Sequence, residues 1–253
     1  MVVRLHRTVP PILALILFSV GSAPPIDSGQ IEIIHKGCFH DNEVSEQSGG
    51  DWEALYGRGD AFELVSRAVG VKPCHDDISD APDKMTGRAV VVDAEGTPLF
   101  LVRGIGHVGA KPVSIPTAWP AKGDGRSLSG GSSKYVRPGE RFHLTLGGAN
   151  YQLAAKGRYD PTRPASDRLL LGYRLTLIGP SGQSQDLPAS VRFAEDGVPT
   201  LEWAGDLDRD GRLDLYMDMT DHYNVTNYVL LLSSRAATGK LVKQVASRRY
   251  VGC

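Results

Sequence analysis

Beyond residue 20 the chain has no apolar run long enough to cross a bilayer as a helix, which takes roughly 20 consecutive apolar residues. It has no excess of either charge: 28 Lys and Arg stand against 29 Asp and Glu, a net charge of −1. That balance argues against nucleic acid or an anionic membrane surface as partner. Cysteine is scarce. Cys38, Cys74 and Cys253 allow at most one internal disulfide with one thiol left over. Cys38–Cys74 would close a short loop and Cys38–Cys253 would tie the two ends together. His35, Cys38, His40, Cys74 and His75 form a zinc-like set by composition, but the spacing His-x₂-Cys-x-His matches no closed zinc template. There is no nucleophile elbow, no H-E-x-x-H and no S-x-x-K. The glycine-rich stretch Ile105 to Gly109 lacks the Lys and the strand–helix context of a phosphate cradle. Arg58-Gly59-Asp60 spells an integrin-recognition tripeptide, and we read it as coincidence in a turn-like stretch.

What is present begins with an address. Arg4 and Arg7 precede a short apolar core, Ile12 to Val20, and small residues follow. This is the pattern of a secretory signal peptide over residues 1–22, cleaved after Ser22. No Cys follows the core, so a lipoprotein anchor is not expected. Loss of the segment removes two Arg, leaves 26 basic against 29 acidic residues, and moves the net charge from −1 to −3. The expected location is therefore exported, periplasmic or extracellular, where a disulfide is permitted.

The mature chain reads as short strands punctuated by glycine turns every 8 to 12 residues, the sequence style of sandwiches and barrels. The fold class expected is mainly β, antiparallel sheets of sandwich or barrel type, with at most one or two short helices. Ile31 to Phe39 reads as a first strand. Asp51 to Ala68 suits a short helix capped by Asp51 or a pair of strands equally. Ala89 to Val102 gives the clearest hairpin, with its turn at Ala94-Glu95-Gly96. Arg141 to Leu146 and Tyr151 to Ala155 flank Gly147-Gly148-Ala149-Asn150 as a second. Residues 122–133, rich in Gly and Ser, form the expected linker between an N-terminal β-rich region, 23–121, and a C-terminal one, 134–253. One domain spanning both stays open.

The sharpest chemical signal is WAGDLDRDGRLDLYMDM, Trp203 to Met219. Asp206, Asp208 and Asp210 alternate, Gly211 follows directly, and Asp214 lies four residues after Asp210. Carboxylates at this spacing repel one another unless a cation sits among them, and a hard, oxygen-seeking ion such as Ca²⁺ suits them. In a D-x-D-x-D-G loop the side chains at positions 1, 3, 5 and 9 bind together with the carbonyl at position 7, here that of Arg212. An EF-hand would also need an acid at position 12, which is Met217. Leu213, Leu215, Met217 and Met219 instead alternate with Asp214, Tyr216, Asp218 and Thr220, which is strand periodicity. With Leu201 and Trp203 ahead, the unit is strand, loop, strand. Asp218 and Asp221 could add outer contacts, with Asp218 better read as a solvent-facing strand residue.

This unit resembles the calcium loop of FG-GAP (VCBS-type) repeats of integrin-like propellers and secreted bacterial proteins. The resemblance implies that Asp214 supplies a bidentate carboxylate. It covers Trp203 to Met219 alone, in one copy, with Arg209 where the family usually has a small residue and without the flanking Phe-Gly and Gly-Ala-Pro signatures. The loop carries over and the propeller does not. The expected function is an exported protein with one structural Ca²⁺ that acts as a binding or interaction module on a protein or cell-envelope component. The alternative is a calcium-dependent secreted hydrolase that uses carboxylates and His222.

Overall fold

A computed structural model describes residues 30–58, 61–106, 113–115, 135–164, 169–194, 197–222 and 224–251. The expected signal peptide, the 122–133 linker, Gly59-Asp60 of the tripeptide and Cys253 lie outside the described residues. Among the described residues sixteen strands occur in chain order: β1 Glu32–Ile34, β2 Gly37–Phe39, β3 Gly49–Arg58, β4 Ala61–Cys74, β5 Gly87–Val92, β6 Phe100–Arg103, β7 Val113–Ile115, β8 Arg141–Leu146, β9 Ala149–Tyr159, β10 Leu170–Ile178, β11 Ser184–Asp186, β12 Arg192–Phe193, β13 Thr200–Gly205, β14 Asp214–Asp218, β15 Val225–Leu232 and β16 Lys243–Val251. No helix occurs among the described residues, so the fold is all β. Asp51 to Ala68 is strand throughout its described length.

The strands form three antiparallel sheets. One has seven strands in the order β1-β6-β3-β4-β5-β2, with β7 beside β4; one has five, β11-β10-β9-β8 with β12 beside β10; one has four, β13-β14-β15-β16. The stretch expected as a single first strand is split. β1 pairs with β6 and β2 pairs with β5, at opposite edges of the six-strand path. Only His35 and Lys36 separate them. Two residues cannot cross a flat sheet whose strands are about 4.8 Å apart, so the sheet curls until its edges meet. Trp52, Ala54, Val65, Val69, Val90 and Leu101 fill the concave side.

The hairpin expected at Ala89 to Val102 is corrected in its pairing. Both strands exist, but β5 pairs with β4 and β2, and β6 with β3 and β1. The β3–β4 hairpin lies between them. The second hairpin is as expected: β8 and β9 pair from Leu146↔Ala149 to Arg141↔Ala154. Gly147 and Gly148 turn it with φ of 55° and 81°, left-handed values that glycine adopts without strain.

The four-stranded sheet is the middle layer. On one face Trp203, Tyr216, Leu230 and Leu232 pack with Leu55, Phe100 and Val102 of the curled sheet. On the other, Leu201, Leu215, Met217 and Leu231 pack with Leu144, Leu153, Leu175 and Leu177 of the five-stranded sheet. Strands on either side of residues 122–133 thus belong to different sheets, and a shared core joins them. It also explains β14. The sequence gives one polar face to this strand, yet Asp214 and Tyr216 are as buried as Leu215 and Met217. A strand covered on both sides has no solvent face to spend on polar groups.

Candidate metal centre

The acidic loop leaves the middle sheet where Gly205 pairs with Asp214. Leu207 and Leu213 anchor it, one in each core. Between them the chain turns through Arg209 and Gly211, whose φ values of 64° and 79° are left-handed. The glycine takes this at no steric cost, whereas the arginine is strained. The turn folds backbone donors inward. The N–H groups of Asp210 and Gly211 donate to Asp206 Oδ1 and Oδ2 at 3.0 and 2.8 Å, and that of Arg212 to Asp210 Oδ1 at 2.8 Å. As a result Asp206, Asp208 and Asp210 each bring a carboxylate oxygen within 4.8 Å of the others. Among the described residues this is the one group of His, Cys, Asp or Glu that could hold a metal ion.

Asp214 stands apart from that group and is fully buried. Its Oδ2 accepts from the Leu207 N–H at 2.8 Å, and its Oδ1 from the Ser233 N–H at 2.8 Å and the Ser233 hydroxyl at 3.0 Å. It ties the start of the loop to the end of β15. Arg212 contributes its side chain, whose guanidinium meets Asp210 Oδ2 at 2.7 Å and donates to the Ser233 carbonyl at 3.1 Å. The Ser233 hydroxyl also reaches Asp210, and the Ser234 hydroxyl donates to Asp208 Oδ2. These two serines were not among the expected site residues. They follow β15, and only the pairing of β15 with β14 brings them to the loop.

The balance of donors is incomplete. Asp208 Oδ1 is buried and has no hydrogen-bond partner. Burial, the largest cause, raises the Asp206 pKa above the usual carboxylate range, and the charges of Asp210 and Asp208 add to it. Asp214 is pushed up to about 7, chiefly by burial and further by Asp208. Three neighbouring carboxylates have one guanidinium among them, on Asp210, so negative charge is in excess where water is partly excluded.

The outer contacts considered for Asp218 do not form. Asp218 is at the far end of β14, four residues or about 13 Å from Asp214 at the strand rise. There its Oδ1 accepts from the Thr220 N–H at 2.9 Å and the Asn227 N–H at 3.4 Å. It is half-buried rather than solvent-facing. Asp221 and His222 lie just beyond that end, 3.7 Å apart.

The zinc-like set is dispersed by its partners. Cys38 and Cys74 are joined as a disulfide. His75 Nδ1 faces the Lys84 carbonyl at 2.9 Å, and His40 Nδ1 faces Asp76 Oδ2 at 2.5 Å. His35 sits at the seam of the curled sheet, bonded through Nε2 to the Tyr216 hydroxyl and through Nδ1 to the Tyr250 hydroxyl at 3.1 Å, with the Tyr228 ring 4.2 Å away. Tyr250 also accepts from the His35 backbone N–H, which leaves its own hydrogen free to go to Nδ1. Burial first, then the Arg248 charge, lowers this pKa to about 3.

Comparison with known protein families, with curated proteins and with solved structures finds no match for this chain.

Proposed function

We propose that the Asp206–Asp214 loop binds one structural Ca²⁺ and that the protein is an exported binding module acting on a protein or cell-envelope component. The observation that carries the ion is the cluster of three carboxylates within 4.8 Å whose Asp208 Oδ1 is buried and unpartnered. Asp206, Asp208 and Asp210 would hold the ion, with the Arg212 carbonyl and Asp214 completing an FG-GAP-like set. The turn geometry suits that reading, with Gly211 left-handed at the sixth position and a strand on each side. Bound there, the ion supplies charge neutralisation. It would relieve the repulsion among the three acids and fix a corner of the middle sheet to which both cores attach. A structural role fits a loop whose own leucines are core residues. The disulfide suits an exported protein, and no helix among the described residues is long and apolar enough to cross a membrane.

The test is thermal unfolding of the disulfide-bonded chain in Ca²⁺ and in chelator. The expected result is a higher Tm in Ca²⁺, abolished by Asp208→Asn with Asp210→Asn; equal Tm in the two conditions overturns the ion. The binding role is tested by capture from envelope extract with and without Ca²⁺. A saturable, calcium-dependent partner supports it. Turnover of an ester, glycoside or peptide substrate that is lost in His222→Ala would replace it with the hydrolase.

A further inference from the structure

A second constellation lies away from the acidic loop. The Cys38–Cys74 disulfide joins the middle of β2 to the end of β4, and two residues beyond each cysteine stand His40 and Asp76. The crosslink thereby sets the pair side by side. Asp76 is buried and held in place. Its Oδ1 accepts from the Ile78 and Ser79 N–H groups at 3.1 and 3.2 Å, which turns Oδ2 onto His40 Nδ1 at 2.5 Å. With Nδ1 committed, Nε2 is the free end of the ring, and it makes no hydrogen bond among the described residues. The His40 side chain is 19 % exposed.

His40 lines an open cleft of about 920 Å³ with Asp76, Ser79 and, from the C-terminal strand, Arg248 and Arg249. The two arginines differ. Arg248 is consumed by Glu46 and by the Ile33 and Glu43 carbonyls. Arg249, on the opposite face of β16, is exposed, and its guanidinium has no ion pair or hydrogen bond among the described residues. The acids around His40 are Asp76, Glu43 and Asp41. Glu43 already accepts from the His40 and Val251 N–H groups, and Asp41 is exposed. The bond to Asp76 is the main reason that the His40 pKa is raised, with Asp76, Glu43 and Asp41 adding their charge. The ring is therefore ready to act as a charged donor.

We propose that this cleft binds a small oxyanion, a carboxylate or phosphate group, between the Arg249 guanidinium and His40 Nε2–H, with Asp76 as the positioning residue. A planar guanidinium and an imidazolium together match two oxygens of such a group. Affinity falls as pH rises through the His40 titration, because the ring then loses one of its two protons.

The experiment uses the full chain with its disulfide intact, inorganic phosphate and acetate as probes, calorimetry for affinity and ¹H–¹⁵N correlation of the imidazoles for location. The expected result is saturable binding of both probes at about 1 mM, with the His40 Nε2 resonance shifted. Binding is weakened about tenfold or more in Arg249→Gln, and the pH dependence of acetate binding, a probe that stays ionised through the His40 titration, is removed in His40→Gln. Asp76→Asn retains binding at low pH and loses it at a lower pH than the native chain, a readout that a purely structural role for Asp76 would not move. Arg249 is exposed, so its variant tests the site without threatening the fold. His40 resonances unmoved by either probe, or moved equally in Arg249→Gln, overturn the proposal.

Discussion

Two aspartate-rich loops of this protein solve the same electrostatic problem in opposite ways. In the 76–86 loop the chain satisfies its own acids. Asp76 takes two backbone N–H groups and His40, and Asp80 takes the Asp76 and Thr86 N–H groups and the Thr86 hydroxyl. Both pKa values go down, Asp76 mainly through His40 and Asp80 to about 2 mainly through Thr86. In the 206–214 loop, burial and like charges outweigh the donors, the Asp206 and Asp214 values go up, and one oxygen of Asp208 is left over. The number of aspartates therefore says little about ion demand. What matters is whether each oxygen already has a hydrogen to face.

That contrast can be broken in order of effect. Removing the Cys38–Cys74 crosslink by a double Cys→Ser change frees a loop spanning 36 residues and should cost about 4 kcal/mol. It should disturb the self-satisfied loop and leave calcium affinity untouched; denaturant unfolding in Ca²⁺ and in chelator checks both. Asp214→Ala strands the buried Leu207 and Ser233 N–H groups and should cost about 3 kcal/mol in chelator, at about 1–3 kcal/mol for each unpaired donor, and more in Ca²⁺, where it also removes a proposed ligand. On our proposal, Ca²⁺ at about a hundredfold over its dissociation constant adds about 2.7 kcal/mol to the native chain and nothing to Asp208→Asn. In chelator Asp208→Asn should be neutral or stabilising, because it removes repulsion, whereas Asp80→Asn should destabilise in both conditions.

The smallest effect is on pH. Asp76 and Asp80 are depressed in the fold, so their contribution is present above the ordinary carboxylate range and is lost as pH falls through the folded values, which for Asp80 is about 2. His40 is raised, so its contribution is complete below its ordinary value of 6.5 and is lost as pH rises through the folded value. Protection of the Thr86 amide from exchange should therefore be greatest between these limits. Constant protection from pH 3 to pH 9 would show that the pair does not hold the loop.

The class of fold was legible in the sequence because strand alternation and glycine turns are local. Gly147-Gly148 announced its hairpin correctly for that reason. The partners of β5 and β6 were not legible, since a seven-residue connection reads the same whether its strands pair with each other or straddle another hairpin. The triad of Asp206, Asp208 and Asp210 was visible from spacing. The burial of Asp214 was not, because it depends on sheets on both sides of β14, and the contributions of Ser233 and Ser234 depend on strand pairing. His40 and Asp76 were hidden for a related reason: 36 residues separate them, and only the crosslink makes them neighbours.

The seam at His35 and Lys36 carries one more consequence. Because one short segment supplies both borders of the curled sheet, neither border can be laid down until the strands up to Arg103 have found their places, and Glu32↔Arg103 is a pairing across 71 residues. Such distant closure is slow. Docking of the first described segment is thus expected late in folding, after the strands that it borders are in place.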